Sequence, residues 1–161
     1  DSYIIDHVMV CSTRFADEVL QELSTRRNLA DAQVTMLGPD TRLPITIEYS
    51  TPRTLGTDRV AAACGARKVC GGKGCVVIDA GTCITVDYID SKGVYHGGAI
   101  LPGLSMKFKS LHTFTAQLPL IEDARPEEVV LTGRSTRDSI VAGVLTATRF
   151  EIDGFVRPAS R

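Results

Sequence analysis

The chain has 161 residues, of which 43% are hydrophobic and 23% charged, and its formal net charge is −1. This length and composition are typical of a soluble globular protein with one domain or two small ones. Neither sign of charge dominates, and no apolar stretch reaches the roughly 20 residues that span a bilayer. We therefore expect no nucleic-acid partner, no membrane partner and a cytoplasmic location.

The chain has five cysteines, an odd number that does not suit a closed set of disulfides. Cys70 and Cys75 have neither a second cysteine pair nor clustered histidines, so a zinc site is not expected. Most of the cysteines lie in apolar or small-residue stretches. The sequence therefore predicts buried free thiols.

The first third of the chain alternates between strand and helix patterns. The apolar run Tyr3–Cys11 predicts a buried strand, and Ser or Thr at positions 12 and 13 can cap a helix that ends near Ser24. Two further short strands are predicted at Val34–Leu37 and Ile45–Tyr49. This alternation indicates an α/β fold.

A proline-containing loop, Thr51–Gly56, passes into an alanine-rich helix that begins near Thr57. Asp58 in its first turn complements the helix dipole, which is a purely structural role. Arg59 is less favourable there, because the dipole repels a cation near the amino end of a helix. A functional pairing explains both residues, with Asp58 as a base for a hydroxyl proton and Arg59 as a fork for a carboxylate or phosphate. Both interpretations stay open at this point.

The glycine-rich segment Gly71–Gly74 does not fit the pattern of a nucleotide-binding P-loop. Arg67 stands where the pattern requires glycine, and Gly74 stands where Ser or Thr would contact magnesium. The segment instead predicts a flexible connector and a domain boundary.

The stretch Val76–Asp87 predicts a β-hairpin in which candidate ligand-binding residues are more concentrated than elsewhere in the chain. A β-branched run ends on Asp79, turns through Gly81 and Thr82, and leaves as a second β-branched run. Gly81 lets a ligand approach the backbone, the Thr82 hydroxyl and nearby amides can face phosphate oxygens, and Asp79 can hold a cation. Taken alone, the motif also fits an ordinary hairpin with a solvated aspartate.

The last third predicts a strand, a helix, a loop, a short strand and a long helix. Their expected bounds are Val94–Ile100, Pro102–Ala116, Gln117–Glu128, Val129–Leu131 and Arg137–Ile152. Gly97-Gly98 inside the first strand indicates a bulge or the close approach of a ligand or another backbone. Ser135 or Thr136 can cap the last helix or bind a polar group of a substrate.

Five motifs together give an order that resembles the type III pantothenate kinases, enzymes of the actin-like and sugar-kinase superfamily. The motifs are Thr51–Arg59, Ile78–Thr82, Gly97–Leu104, Thr115–Pro119 and Gly133–Thr136. Each motif alone is weak, whereas five in register are highly specific. The resemblance implies ATP-dependent phosphorylation of pantothenate to 4'-phosphopantothenate, the first step of coenzyme A biosynthesis.

The resemblance also implies roles for single residues. Asp58 is implied to be the catalytic base that deprotonates the terminal hydroxyl of pantothenate. Thr82 is implied to contact ATP, which is used with magnesium, and Asp79 to hold a monovalent cation, potassium or ammonium. The implied pantothenate contacts are Tyr49, Gly56, Thr57, Asp58, Arg59 and Thr136.

The implied fold is α/β with two ribonuclease H-like (actin-like ATPase) halves that contain mixed sheets. We expect residues 1–71 to be the later part of the first half, incomplete at its amino terminus, and residues 72–161 to be the second half. The family's Asp-x-Gly-Asn-Thr hairpin is expected upstream of Asp1, and its glycine-rich adenosine segment downstream of Arg161. Family members are homodimers in which the neighbouring subunit completes the pantothenate pocket, so a homodimer is expected.

Two alternatives to a pantothenate kinase stay open. The first is a kinase of the same fold that phosphorylates another small hydroxyl compound. The second is a non-catalytic regulatory homologue that lacks the amino-terminal phosphate hairpin and does not bind ATP.

Overall fold

The computed structural model describes residues 4–12, 16–26, 29 and 31–159. They form an α/β structure that contains both parallel strand pairs and antiparallel hairpins, as the sequence predicts. The strands are β1 (His7–Val10), β2 (Gln33–Met36), β3 (Thr46–Ile47), β4 (Cys75–Ala80), β5 (Cys83–Ile89) and β6 (Val94–Pro102). The α-helices are α1 (Ala16–Ser24), α2 (Thr57–Val69), α3 (Leu104–Thr113) and α4 (Thr136–Ala159). Thr13, one of the two predicted caps of α1, lies outside the described residues.

The chain forms two compact units. One consists of residues 1–74 and 89–96, and the other of residues 75–88 and 97–161. The division into domains at residues 71 and 72 stays a prediction.

In the first unit, α1 connects two parallel strands. The strands β1 and β2 pair from His7 opposite Gln33 to Val10 opposite Met36, which is a βαβ arrangement. The short strand β3 pairs in parallel with the first residues of β6, and Ile47 lies opposite Tyr95. The buried hydrophobic residues of this unit are Leu37, Ile45, Leu55, Val60, Ala63, Ile89 and Tyr95.

The glycine-rich segment after α2 is an ordered helix cap, which differs from the predicted flexible connector. Gly71 has a φ of 61°, the left-handed conformation that glycine adopts most readily. The Gly72 N–H donates to the Arg67 carbonyl at 3.1 Å, and the Gly71 N–H donates to the Lys68 carbonyl at 3.2 Å. These two bonds form a Schellman motif, so the glycines end α2 and satisfy its last carbonyl groups.

The strands β4, β5 and β6 follow one another along the chain as consecutive hairpins, as predicted. A Cβ at Gly98 would collide with the Val86 carbonyl oxygen and would lie 2.7 Å from the Cα of Asp87. Gly98 therefore lies where another backbone approaches closely, which is one of the explanations that the sequence offers for two glycines inside a strand. Asp87, beneath it, is only 2% exposed.

The helices α3 and α4 enclose the hydrophobic core of the second unit. Its buried residues are Phe108, Ile121, Ile140, Val141 and Val144. The prediction of a strand at Val129–Leu131 is wrong, because these residues are irregular and pair with no strand in the described part of the chain. The Thr146 hydroxyl of α4 instead donates to the Val130 carbonyl at 2.6 Å.

The five cysteines are free thiols, as predicted. The prediction that they are buried is wrong. Cys11 and Cys83 are exposed, and the other three are only partly buried. Partial burial raises the pKa of the Cys64 thiol, because desolvation disfavours the thiolate.

Candidate functional site

Asp58 and Arg59 lie in the first turn of α2, directly after Gly56. Oδ1 of Asp58 accepts a hydrogen bond from the Arg59 backbone N–H at 2.9 Å, and the carboxylate lies tightly against Gly56. Asp58 is exposed, whereas Arg59 is only 7% exposed. Among the described residues of this unit, the Asp58 side chain makes no other hydrogen bond. Asp58 thus satisfies an amide at the helix start and keeps Oδ2 open to a proton.

Thr57 and Tyr49 are held by contacts within the first unit. The Thr57 hydroxyl accepts a hydrogen bond from the Cys11 thiol at 3.2 Å and faces the Ser12 carbonyl at 3.4 Å. The Tyr49 ring packs at a tilt on the buried Tyr95 ring, with 6.4 Å between ring centroids. The Thr57 hydroxyl is therefore already engaged by the segment that follows β1.

Asp79 and Thr82 lie at the two sides of the turn between β4 and β5. Both residues are exposed, and within the turn the Gly81 N–H donates to the Cys83 carbonyl at 2.9 Å. The Gly103 N–H, directly before α3, donates to the Thr82 carbonyl at 3.0 Å. The start of α3 thus fixes the turn and leaves a carboxylate and a hydroxyl facing solvent.

Thr136 lines a groove of about 770 Å³ at the amino end of α4. Its lining combines polar residues, Arg134, Ser135 and Ser139, with apolar ones, Leu111, Leu118 and Ile140. Such a mixture suits a small amphipathic ligand.

Ser135, rather than Thr136, caps α4. Oγ of Ser135 accepts a hydrogen bond from the Asp138 N–H at 3.1 Å, and its carbonyl accepts one from the Ser139 N–H at 2.9 Å. The Thr136 side chain makes no hydrogen bond to the described residues of this unit. Its hydroxyl is therefore available in the groove.

A guanidinium network lies beside this groove, and no sequence motif indicates it. Arg137 donates from Nη1 to Oε1 of Glu128 at 2.7 Å and from Nη2 to Oδ1 of Asp123 at 3.0 Å. Arg137, followed by the Arg125 N–H, lowers the pKa of the Glu128 carboxyl by bonding its charged form. The available signal was an arginine in a first helical turn, which the helix dipole disfavours.

His96 lies between two carboxylates of the first unit, although its sequence spacing gave it no partner. Nδ1 lies 2.9 Å from Oε2 of Glu48, and Nε2 lies 3.0 Å from Oδ2 of Asp90. The backbone N–H of Val94, followed by the His96 ring, lowers the pKa of the Asp90 carboxyl. The parallel pairing of β3 with β6 brings Glu48 and His96 together, and sequence spacing does not show this pairing.

Apart from Tyr49, which packs on Tyr95, the predicted site residues form three local groups. Gly56, Thr57, Asp58 and Arg59 are contiguous at the start of α2, and Asp79 and Thr82 share one turn. Thr136 lies in a groove whose lining includes neither Asp79 nor Thr82.

The described residues contain no cluster of three or more His, Cys, Asp or Glu side chains that could hold a metal ion. We also find, among those residues, no helix with the length and apolar character that a membrane span requires.

Comparison with known proteins identifies one family. The family profile of type III pantothenate kinase matches residues 1–158. A protein of Cytophaga hutchinsonii named type III pantothenate kinase is 47% identical over 141 residues, covering 83% of this chain and 59% of the relative. Proteins of the same name from Phocaeicola vulgatus and Porphyromonas gingivalis are 46% and 38% identical, covering 74% and 94% of this chain and 49% and 61% of the relatives. The chain thus spans between about half and three fifths of the length of these relatives.

Proposed function

The chain belongs to the type III pantothenate kinase family, and from this premise we propose that its full-length protein transfers the γ-phosphoryl group of ATP to the terminal hydroxyl of pantothenate. The products are 4'-phosphopantothenate and ADP, in the first step of coenzyme A biosynthesis. The observation that carries the proposal is the family match over residues 1–158. It includes all five motifs that the sequence presents in order.

Asp58 is the proposed catalytic base. Its Oδ1 is held by the Arg59 N–H, which fixes the carboxylate, and its exposed Oδ2 is free to accept the hydroxyl proton as the oxygen–phosphorus bond forms. In phosphoryl transfer, positioning and charge neutralisation supply most of the rate, and a base adds a smaller factor. Asp58 therefore matters for turnover without being needed for nucleotide binding.

Asp79 and Thr82 are the proposed contacts on the ATP side. Thr82 offers a solvent-facing hydroxyl on a turn that the Gly103 N–H fixes at 3.0 Å, which suits a phosphate oxygen. Asp79 offers carboxylate oxygens, the donor type that suits potassium or ammonium and also the magnesium carried by ATP. A monovalent cation held there would neutralise phosphate charge, and Asp79 would orient it.

The proposed pantothenate contacts are Tyr49, Gly56, Thr57, Arg59 and Thr136. Thr136 has the strongest support, because Ser135 caps the helix and leaves the Thr136 hydroxyl available in a groove that apolar residues also line. At Thr57 the backbone is the better candidate for the contact, since its hydroxyl already bonds the segment after β1.

We further propose the larger assembly that the family implies. Residues 1–71 and 72–161 would belong to two ribonuclease H-like halves, and two subunits would form a cytoplasmic homodimer that shares the pantothenate pocket. Sedimentation of the full-length protein tests the dimer directly.

The function is tested by incubating the full-length gene product with ATP, magnesium, potassium and pantothenate, and by measuring ADP and phosphorylated product. Asp58→Asn should lower kcat by about 10²-fold or more while the circular dichroism spectrum stays unchanged. Asp40→Asn is the matched control, an exposed aspartate of the same unit, and should keep wild-type turnover.

The outcomes separate the proposal from its alternatives. Turnover of a different hydroxyl compound with none of pantothenate would indicate another small-molecule kinase, and absence of ATP binding would indicate a non-catalytic homologue. Full turnover by Asp58→Asn would remove Asp58 from the role of base.

A further inference from the structure

The loop between α3 and α4, residues 114–135, contributes part of the lining of the groove that contains Thr136. Leu118 of this loop lines the groove together with Thr136 at the start of α4. Its position is set first by the α3 end, where the Leu118 carbonyl lies 2.8 Å from Nδ1 of His112 and the Leu118 N–H donates to the Thr115 hydroxyl at 3.3 Å. Ile121, three residues later, is buried in the core.

The other end of the same segment is held by Arg137, the residue directly after Thr136. Its guanidinium group bonds Glu128 at 2.7 Å and Asp123 at 3.0 Å. Glu128 also accepts a hydrogen bond from the Arg125 N–H at 2.7 Å through its second oxygen. The Arg137 side chain therefore connects the start of α4 to two positions of the loop directly, and to Arg125 through Glu128.

Helix stability does not explain an arginine at this position. Arg137 lies in the first turn of α4, where the positive end of the helix dipole disfavours a cation. A planar guanidinium with several fixed donors can, however, bond two carboxylates at once, which lysine cannot do with the same geometry. The placement is thus explained by what Arg137 bonds in the loop.

We propose that Arg137 is a positioning residue that holds residues 118–128 against the start of α4 and thereby keeps Leu118 in the lining of the groove that Thr136 also lines. This inference rests on the proposed function, in which the groove binds pantothenate. Without the guanidinium, the loop would populate other arrangements, and the apparent affinity would fall with the fraction that keeps the groove formed.

The test compares Arg137→Gln and Arg137→Lys in the full-length protein. Arg137→Gln should raise the Kd and KM for pantothenate about tenfold, corresponding to a formed groove in about one tenth of the molecules, with kcat and the KM for ATP within about twofold of wild type. The Kd and KM of Arg137→Lys for pantothenate should lie between those of wild type and Arg137→Gln. An ammonium group keeps the positive charge but lacks the planar set of donors that bonds two carboxylates at once. Amide hydrogen exchange of residues 118–128 should accelerate in the same order.

Arg149→Gln is the matched control. Arg149 is an exposed arginine of the same helix, and its side chain makes no hydrogen bond or ion pair to the described residues of its unit. It should leave the pantothenate KM and the loop exchange at wild-type values. Asp123→Asn is the second variant: Asp123 has a side chain that is 78% exposed, so its substitution tests the same contact without threatening the fold.

Lower thermal stability of Arg137→Gln with unchanged pantothenate KM and unchanged loop exchange would overturn the proposal, since Arg137 would then be merely structural. If the wild-type protein failed to bind pantothenate, the proposed function would fail on its own. Loop exchange would still decide whether Arg137 holds the segment: faster exchange in Arg137→Gln and Asp123→Asn supports the positioning role, and unchanged exchange refutes it.

Discussion

The contact between Gly103 and the turn of the β4–β5 hairpin predicts a steric effect of a single methyl group. In Gly103→Ala the added Cβ would lie 2.5 Å from the carbonyl oxygen of Thr82 and 2.9 Å from its carbonyl carbon, and it would also collide with the Gly81 carbonyl oxygen. Gly103 has φ −68° and ψ 169°, a conformation that alanine also adopts, so the effect is steric alone.

The size of the effect follows from these distances. Favourable non-bonded contacts begin near 3.5 Å, so the turn and the start of α3 must separate by about 1 Å. Overpacking of this kind costs about 1–3 kcal/mol, and the loss of glycine's freedom in the unfolded chain returns less than about 1 kcal/mol. A net loss of about 1–2 kcal/mol would lower the Tm by several degrees, on the scale of about 2–4 °C per kcal/mol for 150–250 residues.

The same displacement should reach the proposed phosphate contact, because Thr82 itself must move. A misplacement of about 1 Å can lower turnover by as much as about 10²-fold, so kcat should fall at least about tenfold. The assays are the thermal unfolding midpoint, calorimetric titration with ATP and the kinase rate of the full-length protein.

Gly154→Ala is the matched control for this experiment. Gly154 lies in α4, and a Cβ there meets nothing within 4 Å. Alanine is the better helix former, so this variant should be more stable by up to about 1 kcal/mol and equally active. If Gly103→Ala were as stable as wild type and bound ATP with unchanged Kd, the turn would not be fixed by the start of α3, and the reasoning would be refuted.

Two further predictions concern carboxylates. Asp79→Asn should weaken activation by potassium, measured as kcat against potassium concentration with choline as the inert cation; an unaltered dependence would contradict the assignment. Because hydrogen bonds from the Val94 N–H and His96 hold the pKa of Asp90 below its ordinary value in the folded state, its carboxylate stabilises the fold above about pH 4. This contribution is lost as the pH falls through the folded pKa. The unfolding free energy of Asp90→Asn should therefore fall less steeply with acidification than that of wild type, as followed by urea unfolding; parallel curves would show that the Asp90 bonds contribute nothing.

The elements that the sequence predicted best are those in which a local signal and the tertiary environment agree. The α2 helix begins after Gly56, where Asp58 satisfies an amide, as the change from a proline-containing loop to an alanine-rich run predicts. The β4–β5 hairpin follows its β-branched runs and its Ala-Gly-Thr turn. In both cases residues that are adjacent in the sequence determine where the helix begins or the hairpin turns.

The predictions that failed depended on partners that are distant in sequence. The apolar residues Val129–Leu131 have high strand propensity, but no strand in the described part of the chain offers them a ladder, and a side chain of α4 takes the Val130 carbonyl. Similarly, β3 is shorter than its apolar run because it pairs with only two residues of β6.

The same distinction between local signals and partners distant in sequence applies to the candidate site. Residue type and order were sufficient to nominate Asp58, Asp79, Thr82 and Thr136, whose roles stay predictions. The Arg137 contacts and the His96 pair depend on the path of a loop and on the register of two strands. These contacts arise only in the folded chain, and the spacing of the residues in the sequence does not indicate them.

The length and phase of α4 have a consequence for how this sequence can change. Its 24 residues fix Thr136 at one end, Thr146 on the Val130 carbonyl, and Thr148 and Glu151 on Lys107 near the other. One residue inserted in the middle would rotate everything beyond it by about 100° and shift it by about 1.5 Å. Substitutions remove these contacts one at a time, whereas a single insertion or deletion would break every one on the far side, so α4 can vary in composition but not in length.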